Sequence, residues 1–311
     1  MRDEFSTPIT TEEKTDSLIH LYIDGGLKRR DLVSRLAKLL GGTAAAMTAI
    51  ESAGLAQVQQ FACPDGVKVS ESDPAIQWEN VTFPGDGFMM RGLLARPRNQ
   101  SEPQPAVIVL HENRGLVEHI RDVTRRVAKA GYVALGVDLL SRQGGTEQFA
   151  DDTARGAAYG RTLQPERYND IYMAIEWLQK QQFVVWDRIG ATGFCAGGGN
   201  IYHGAFNNLP LQAAVPYYGT PPNPLPANAN LTTPLLYIFS ETDRNQAARI
   251  PELTTALVNA RVTFGIHLFK GTGHGFHNDT GAIYNPTVAC EAWARTLEFF
   301  NIHLRAPRAS A

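Results

Sequence analysis

Six short runs of nearly consecutive apolar residues constrain the fold of this chain more than any other feature. They read AVIVLHE (106–112), YVALGVD (132–138), RIGATGFC (188–195), AAVPYYG (213–219), PLLYIFSE (234–241) and FGIHLFKG (264–271). A strand that is apolar on both faces has to be covered on both faces, as in a parallel sheet. The segments between the runs carry helical spacing: Ile120, Val123 and Val127 in 119–130, Ile171, Ile175 and Leu178 in 166–180, and Ala289, Trp293, Thr296, Leu297 and Phe300 in 287–304. Upstream, QWENVTFP and MRGLLARP flank Gly85-Asp86-Gly87, the pattern of two strands joined by a short loop. Strand and helix in alternation, opened by such a pair, predict an α/β fold: a mostly parallel sheet flanked by helices.

Two segments are expected: an N-terminal helical extension with a polar linker over 1–75, and the α/β unit over 76–311. The linker CPDGVKVSESDPA is rich in turn formers. Within residues 27–56, Arg29 and Arg30 precede a mildly apolar stretch and the small-residue step Gly54-Leu55-Ala56, a pattern similar to a twin-arginine export signal. Against export, Lys38 interrupts the apolar stretch, and Leu32, Leu36, Leu39 and Leu40 recur at helical spacing. A retained helical arm and a cytoplasmic location are therefore favoured, with export to the periplasm the alternative.

Totals narrow the function. The formal net charge is −2, so no global field draws in nucleic acid. No apolar stretch has the length of a membrane span. Cys63, Cys195 and Cys290 are few, odd in number and far apart, which is no disulfide framework and fits a reducing compartment or a chain that does not rely on bridges. HENRG (111–115) lacks the second histidine of a zinc-protease motif, and GGGN lacks the lysine of a phosphate loop. No metal or cofactor is implied.

Ligands of a parallel sheet bind beyond the carboxyl ends of its strands. Four titratable residues stand there: Glu112, Cys195, Asp243 and His274. Cys195 sits in Gly193-Phe194-Cys195-Ala196-Gly197, the spacing of a nucleophile elbow. When a strand turns at once into a helix, the central side chain points outward, and the residues two before and two after must be nearly bare. The helix that follows directs its free N–H groups at the sulfur and at a developing oxyanion, and both favour thiolate chemistry. The order nucleophile, acid, histidine is also that of the α/β-hydrolases. His277 reads as a helper or a packing residue, His203 as structural. Tyr217 and Tyr218 close a strand, and core packing and pocket lining are equally open to them.

On the motifs HENRG, RRVAKAGYVALGVDLLSRQGG, GFCAGGG, YYG, SETD and GTGHGFHND, residues 76–305 resemble the dienelactone hydrolase family of the α/β-hydrolase fold. The resemblance implies a Cys195–His274–Asp243 triad, a Glu112 that contacts the resting thiol, and an oxyanion hole from the N–H groups of Ala196 and Asn113. Family members that take dienelactone hold its carboxylate with two arginines. Arg142 matches the first, and Asn278 stands where the second would be. The substrate-binding set is then Arg142, Tyr218 and Asn278. The N-terminal extension resembles that of a longer subgroup of the family. The expected activity is cofactor-free hydrolysis of a small ester or lactone through an acyl-thioester. The alternative is a silent hydrolase fold used for binding. A homodimer is compatible with either.

Overall fold

The computed structural model describes residues 10–23, 29–52, 68–226 and 231–305. It divides into two compact units, residues 1–62 and 63–311. In the first, helices α1 (Thr11–Ile23), α2 (Arg29–Leu40) and α3 (Thr43–Ser52) surround a small core of Ile19, Leu32, Leu36, Ala46 and Ile50. The expected helical arm thus consists of three helices among the described residues. Leu32 and Leu36 are fully buried, whereas Leu39 and Leu40 are half-buried. The small-residue step at 54–56 and linker residues 63–67 lie outside the described residues.

The second unit is an eight-stranded sheet in the order β1-β2-β4-β3-β5-β6-β7-β8. Strands β1 (Ile76–Pro84) and β2 (Met89–Pro97) form the antiparallel opening pair, closed by a turn in which Gly85 N–H donates to the Phe88 carbonyl. β2 runs antiparallel to β4 (Val133–Asp138). From β4 through β3 (Gln104–Leu110), β5 (Val184–Phe194), β6 (Ala213–Tyr217), β7 (Leu235–Ser240) and β8 (Phe264–Phe269), every pairing is parallel. β3, β4, β6 and β7 are buried along almost their whole length, as their unbroken apolar runs require. β8 is an edge strand and is only half-buried despite a similar run. A run of apolar residues does not report whether a second neighbour exists.

Helices cover both faces. α4 (Glu118–Lys129) and α10 (Pro286–Phe300) set Ile120, Val123, Trp293 and Phe300 against Val107, Val109 and Val215. α6 (Gln164–Gln179), α7 (Ala196–Phe206) and α9 (Ile250–Asn259) set Ile171, Ile201 and Leu253 against Ile108, Leu135 and Ala191 on the other face. Helices α5 (Asp152–Arg161) and α8 (Arg244–Ala247) complete the unit. Parallel pairing aligns the strand ends: Leu110 lies opposite Gly193, Phe194 opposite Tyr217, and Ser240 opposite Phe269. Glu112, Cys195, Tyr218, Asp243 and His274 therefore all follow strands that end at one edge of the sheet.

Cys195 is free and half-buried, whereas Cys290, on α10, is disulfide-bonded. The sequence reading of no disulfide framework did not single out this bridged cysteine. An odd number of scattered cysteines does not reveal which of them pair.

Candidate active site

β5 ends at Phe194 and α7 begins at Ala196, so Cys195 alone makes the turn. Its φ is +53° and its ψ −113°, in the sterically costly half of the map for a residue with a Cβ. Surrounding structure holds it there. Its N–H donates to the Tyr217 carbonyl, and its carbonyl accepts from Gly199, both at 3.0 Å. The flanking glycines are sterically obligatory. A Cβ on Gly193 would stand 2.6 Å from the Gly197 carbonyl, and one on Gly197 would stand 2.5 Å from the Leu110 carbonyl oxygen. Ala196 opens α7, so its N–H has no partner within the helix.

His274 lies in the loop after β8. Its Nδ1 meets both carboxylate oxygens of Asp243, at 2.9 and 3.0 Å. Asp243 lies in the loop after β7, where it also accepts the Ser240 hydroxyl at 2.5 Å. Hydrogen bonding to Asp243, then to Cys195, raises His274 to about 10 against the opposing effect of burial. Asp243 and His274 are thus in direct contact after β7 and β8, and Cys195, after β5, is among the groups that act on His274.

Glu112 follows β3 and is 6% exposed. The Asn278 side-chain Nδ2 donates to its Oε2 at 2.9 Å, while the Asn278 side-chain Oδ1 accepts from the Thr280 N–H at 3.0 Å and hydroxyl at 2.7 Å. Asn278 thus ties the β3 end to the histidine loop. The preceding His111 is fixed as well: its Nε2 accepts the Leu139 N–H at 2.9 Å, and its Nδ1 meets the Glu112 carbonyl. Asn113, the other predicted oxyanion donor, comes next in the chain, with its side-chain amide close to Gly156 of α5.

Of the two roles the sequence left open for Tyr218, the structure shows core packing, beside His274. Its ring is fully buried and packs 5.0 Å from that of His274, centroid to centroid. Its hydroxyl has no hydrogen-bond partner among the described residues. Burial first, then the charges of Glu112 and Cys195, push that hydroxyl well above the usual phenol range, so it stays a proton donor. Gln246 donates to the Tyr218 carbonyl at 3.1 Å and so supports its backbone at φ +37°.

Arg142 is engaged elsewhere. Its guanidinium grips Asp170 through two bonds, at 3.0 and 2.9 Å, and stacks on Phe88, with Glu166 and Asp86 about 4 Å away. Asp170 is fully buried. The local balance is already negative, so this arginine has little left for a substrate carboxylate. His277 is fully buried, with its ring 5.0 Å from that of Phe194. Burial and then the Arg126 charge hold it well below the usual histidine range, so it is neutral packing. Sequence reading did not single out Gln246 or Tyr159, which act through contacts with residues distant in sequence and carry no local motif.

Residues 90–304 match the dienelactone hydrolase family. A protein of Escherichia coli strain K12 named as a carboxymethylenebutenolidase is 30% identical over 243 residues, 75% of this chain and 89% of that relative. One of Synechocystis sp. with the same name is 32% identical over 242 residues, covering 72% of this chain and 96% of that relative. Among solved structures, a protein from Klebsiella pneumoniae assigned to the dienelactone hydrolases superposes with a TM-score of 0.66 at 29% identity, over 73% of this chain and 98% of that one.

Proposed function

Because the chain belongs to the dienelactone hydrolase family and is an ester or lactone hydrolase of that type, we propose that it works through Cys195 as nucleophile, His274 as proton carrier and Asp243 as orienting acid. One observation carries the reading: a cysteine held at positive φ on a strand-to-helix turn, facing a histidine whose other ring nitrogen is bound by a carboxylate.

His274 removes the Cys195 proton and holds it as imidazolium. The thiolate attacks the carbonyl carbon, and the carbonyl electron pair moves to oxygen. The Ala196 and Asn113 N–H groups receive that oxyanion, each such donor contributing about 3 kcal/mol of barrier lowering. Collapse expels the alkoxide, which takes the proton from His274 and leaves an acyl-thioester on Cys195. Acylation removes the sulfur's hydrogen bond and charge, two of the effects that raise His274. Its affinity for a proton falls, and it becomes the base for the attacking water. Collapse of the second intermediate returns the proton to sulfur and releases the acid. A thiolate is itself a good leaving group, so acylation outruns reversal best when the alkoxide is stabilised, as in enol lactones and activated esters. Glu112, held by Asn278, tunes the resting thiol.

The test is turnover of 4-nitrophenyl esters and small lactones by the wild type and Cys195→Ala. Loss of about 10³-fold or more in kcat, with an unchanged melting curve, is expected of a nucleophile. Full turnover by folded Cys195→Ala overturns the assignment and leaves a binding role for the fold.

A further inference from the structure

The last ladder pair between β3 and β4 is Leu110 opposite Val137. Strand pairing fixes the chain no further, yet the predicted oxyanion donor, the Asn113 N–H, lies beyond that point. A buried side chain takes over the task. His111 is fully buried between the ends of β3 and β4. Tyr159 of α5 packs edge-on against it, 5.9 Å between ring centroids.

The hydrogen bonds of His111 leave it one tautomer. A carbonyl oxygen can only accept, so Nδ1 carries the hydrogen that it gives to the Glu112 carbonyl. The Leu139 N–H can only donate, so Nε2 presents a lone pair. His111 is therefore neutral. Burial holds it below the usual histidine range, against the pull of Asp138 and Glu112. An imidazolium would set a second donor against the Leu139 N–H.

The carbonyl that His111 holds belongs to the same peptide unit as the Asn113 N–H. A trans peptide is planar, and its C=O and N–H point in opposite directions. Fixing the oxygen on the His111 side aims the Asn113 N–H away from it. Among the described residues, that N–H donates to no backbone acceptor. The elbow is near at hand: a Cβ on Gly197 would stand 2.6 Å from the His111 carbonyl oxygen. Asn278 anchors the Glu112 side chain separately. Rotation of the peptide plane is the freedom left for His111 to remove.

We propose that His111 is a positioning residue for the oxyanion hole: by holding the Glu112 carbonyl, it fixes the peptide plane that presents the Asn113 N–H to the developing oxyanion. The role deepens the hydrolytic reading above and rests on it.

Two conservative variants separate positioning from packing. An Asn side chain places its Nδ2 close to where Nδ1 stands, and a Gln side chain carries its Oε1 to the Nε2 position. His111→Asn keeps the donor to Glu112 and leaves the Leu139 N–H unpaired. Its melting temperature should fall, while kcat stays within about 3-fold of the wild type. His111→Gln keeps the Leu139 bond and loses the Glu112 donor. Its melting temperature should stay close to that of the wild type, while kcat falls about 10- to 100-fold with KM little changed.

Trifluoroacetone and iodoacetamide give the second readout. The Cys195 thiolate adds to the ketone carbon, and the carbonyl electron pair moves to oxygen, so the hemithioketal carries the oxyanion and nothing leaves. Displacement of iodide from iodoacetamide forms no oxyanion. His111→Gln should weaken inhibition by trifluoroacetone about as much as it lowers kcat, and His111→Asn should not. Alkylation by iodoacetamide should run at the wild-type rate in both. Wild-type kcat in His111→Gln overturns the role. So does alkylation that slows in step with turnover, which reports a damaged site rather than a misaimed donor. Equal kcat losses in the two variants overturn it as well, and leave the hydrolytic reading standing. If His111→Asn does not fold, trifluoroacetone against iodoacetamide in His111→Gln decides. A wild type that neither turns over esters nor binds trifluoroacetone overturns the hydrolytic reading, and this role with it.

Discussion

Asp243 spans the Nδ1–H of His274 with both carboxylate oxygens, at 2.9 and 3.0 Å, and this contact does most to make His274 basic. Once His274 has taken the Cys195 proton, its interactions with Asp243 and with the sulfur hold that proton to about pH 10, ready for a leaving alkoxide. Ester turnover should therefore fall as pH rises through about 10. Asp243→Asn should move that alkaline limb to lower pH and cut kcat by about 10³- to 10⁴-fold. The sign for stability is the same. The histidine is raised above its unfolded value near 6.5, so its contribution is complete below that value and is lost as pH climbs through about 10. Melting curves of the wild type and His274→Ala should converge over that interval. Rate profiles from pH 6 to 11 that coincide for the wild type and Asp243→Asn would refute the coupling.

Glu112 is tied to the histidine loop by Asn278 at 2.9 Å, and both Glu112 and Cys195 act on the buried Tyr218 hydroxyl. A carboxylate in that position opposes a second negative charge. Glu112→Gln should make Cys195 react faster with iodoacetamide near neutral pH, and ester turnover should fall by less than in His274→Ala. Asn278→Ala should change the alkylation rate without removing the carboxylate. Superimposable alkylation curves for the wild type and Glu112→Gln would make Glu112 a structural acid.

Arg142 and Asp170 predict a stability effect where the sequence suggested a binding effect. Asp170 is fully buried, and burial raises its carboxyl while Arg142 opposes the rise. Arg142→Met strands that charge, at a cost of about 3 kcal/mol or more, which corresponds to a melting temperature roughly 10 °C lower in a unit of this size. Without the arginine, burial first and then the charges of Glu166 and Asp86 all raise Asp170, so its protonated form fits best. The deficit should shrink as pH falls and grow toward neutrality. A substrate role for Arg142 would instead raise KM for charged esters and leave the melting temperature alone.

The sheet and the elbow were legible because their physics is local. Unbroken apolar runs mark doubly covered strands, and only glycine fits at 193 and 197 once a strand turns directly into a helix. Chain order was enough to nominate Cys195, Asp243 and His274. What escaped depends on distant pairing. Nothing near Arg142 in sequence announces Asp170, 28 residues away, and nothing near Asn278 announces Glu112, 166 residues away. Only the folded chain gives Arg142 its acid.

The cysteines supply a test that needs no substrate. The chain has three. Cys195 is free, and Cys290 is nearly buried on α10 and disulfide-bonded. Within one chain a bridge consumes two thiols, so unfolded, unreduced protein should titrate one thiol with Ellman's reagent and three after reduction. Iodoacetamide applied to the native protein should label Cys195 and abolish turnover together, since the free thiol is the proposed nucleophile. Bridges of this kind form in oxidising compartments, and we propose on that ground that export, the alternative reading of Arg29-Arg30, deserves the first experiment. Replacing both arginines by lysine should retain the protein in the cytoplasm, where the reduced, three-thiol form should accumulate. Three free thiols in unreduced wild-type protein would refute the bridge. A one-thiol protein whose location ignores the arginine pair would separate the bridge from the export route.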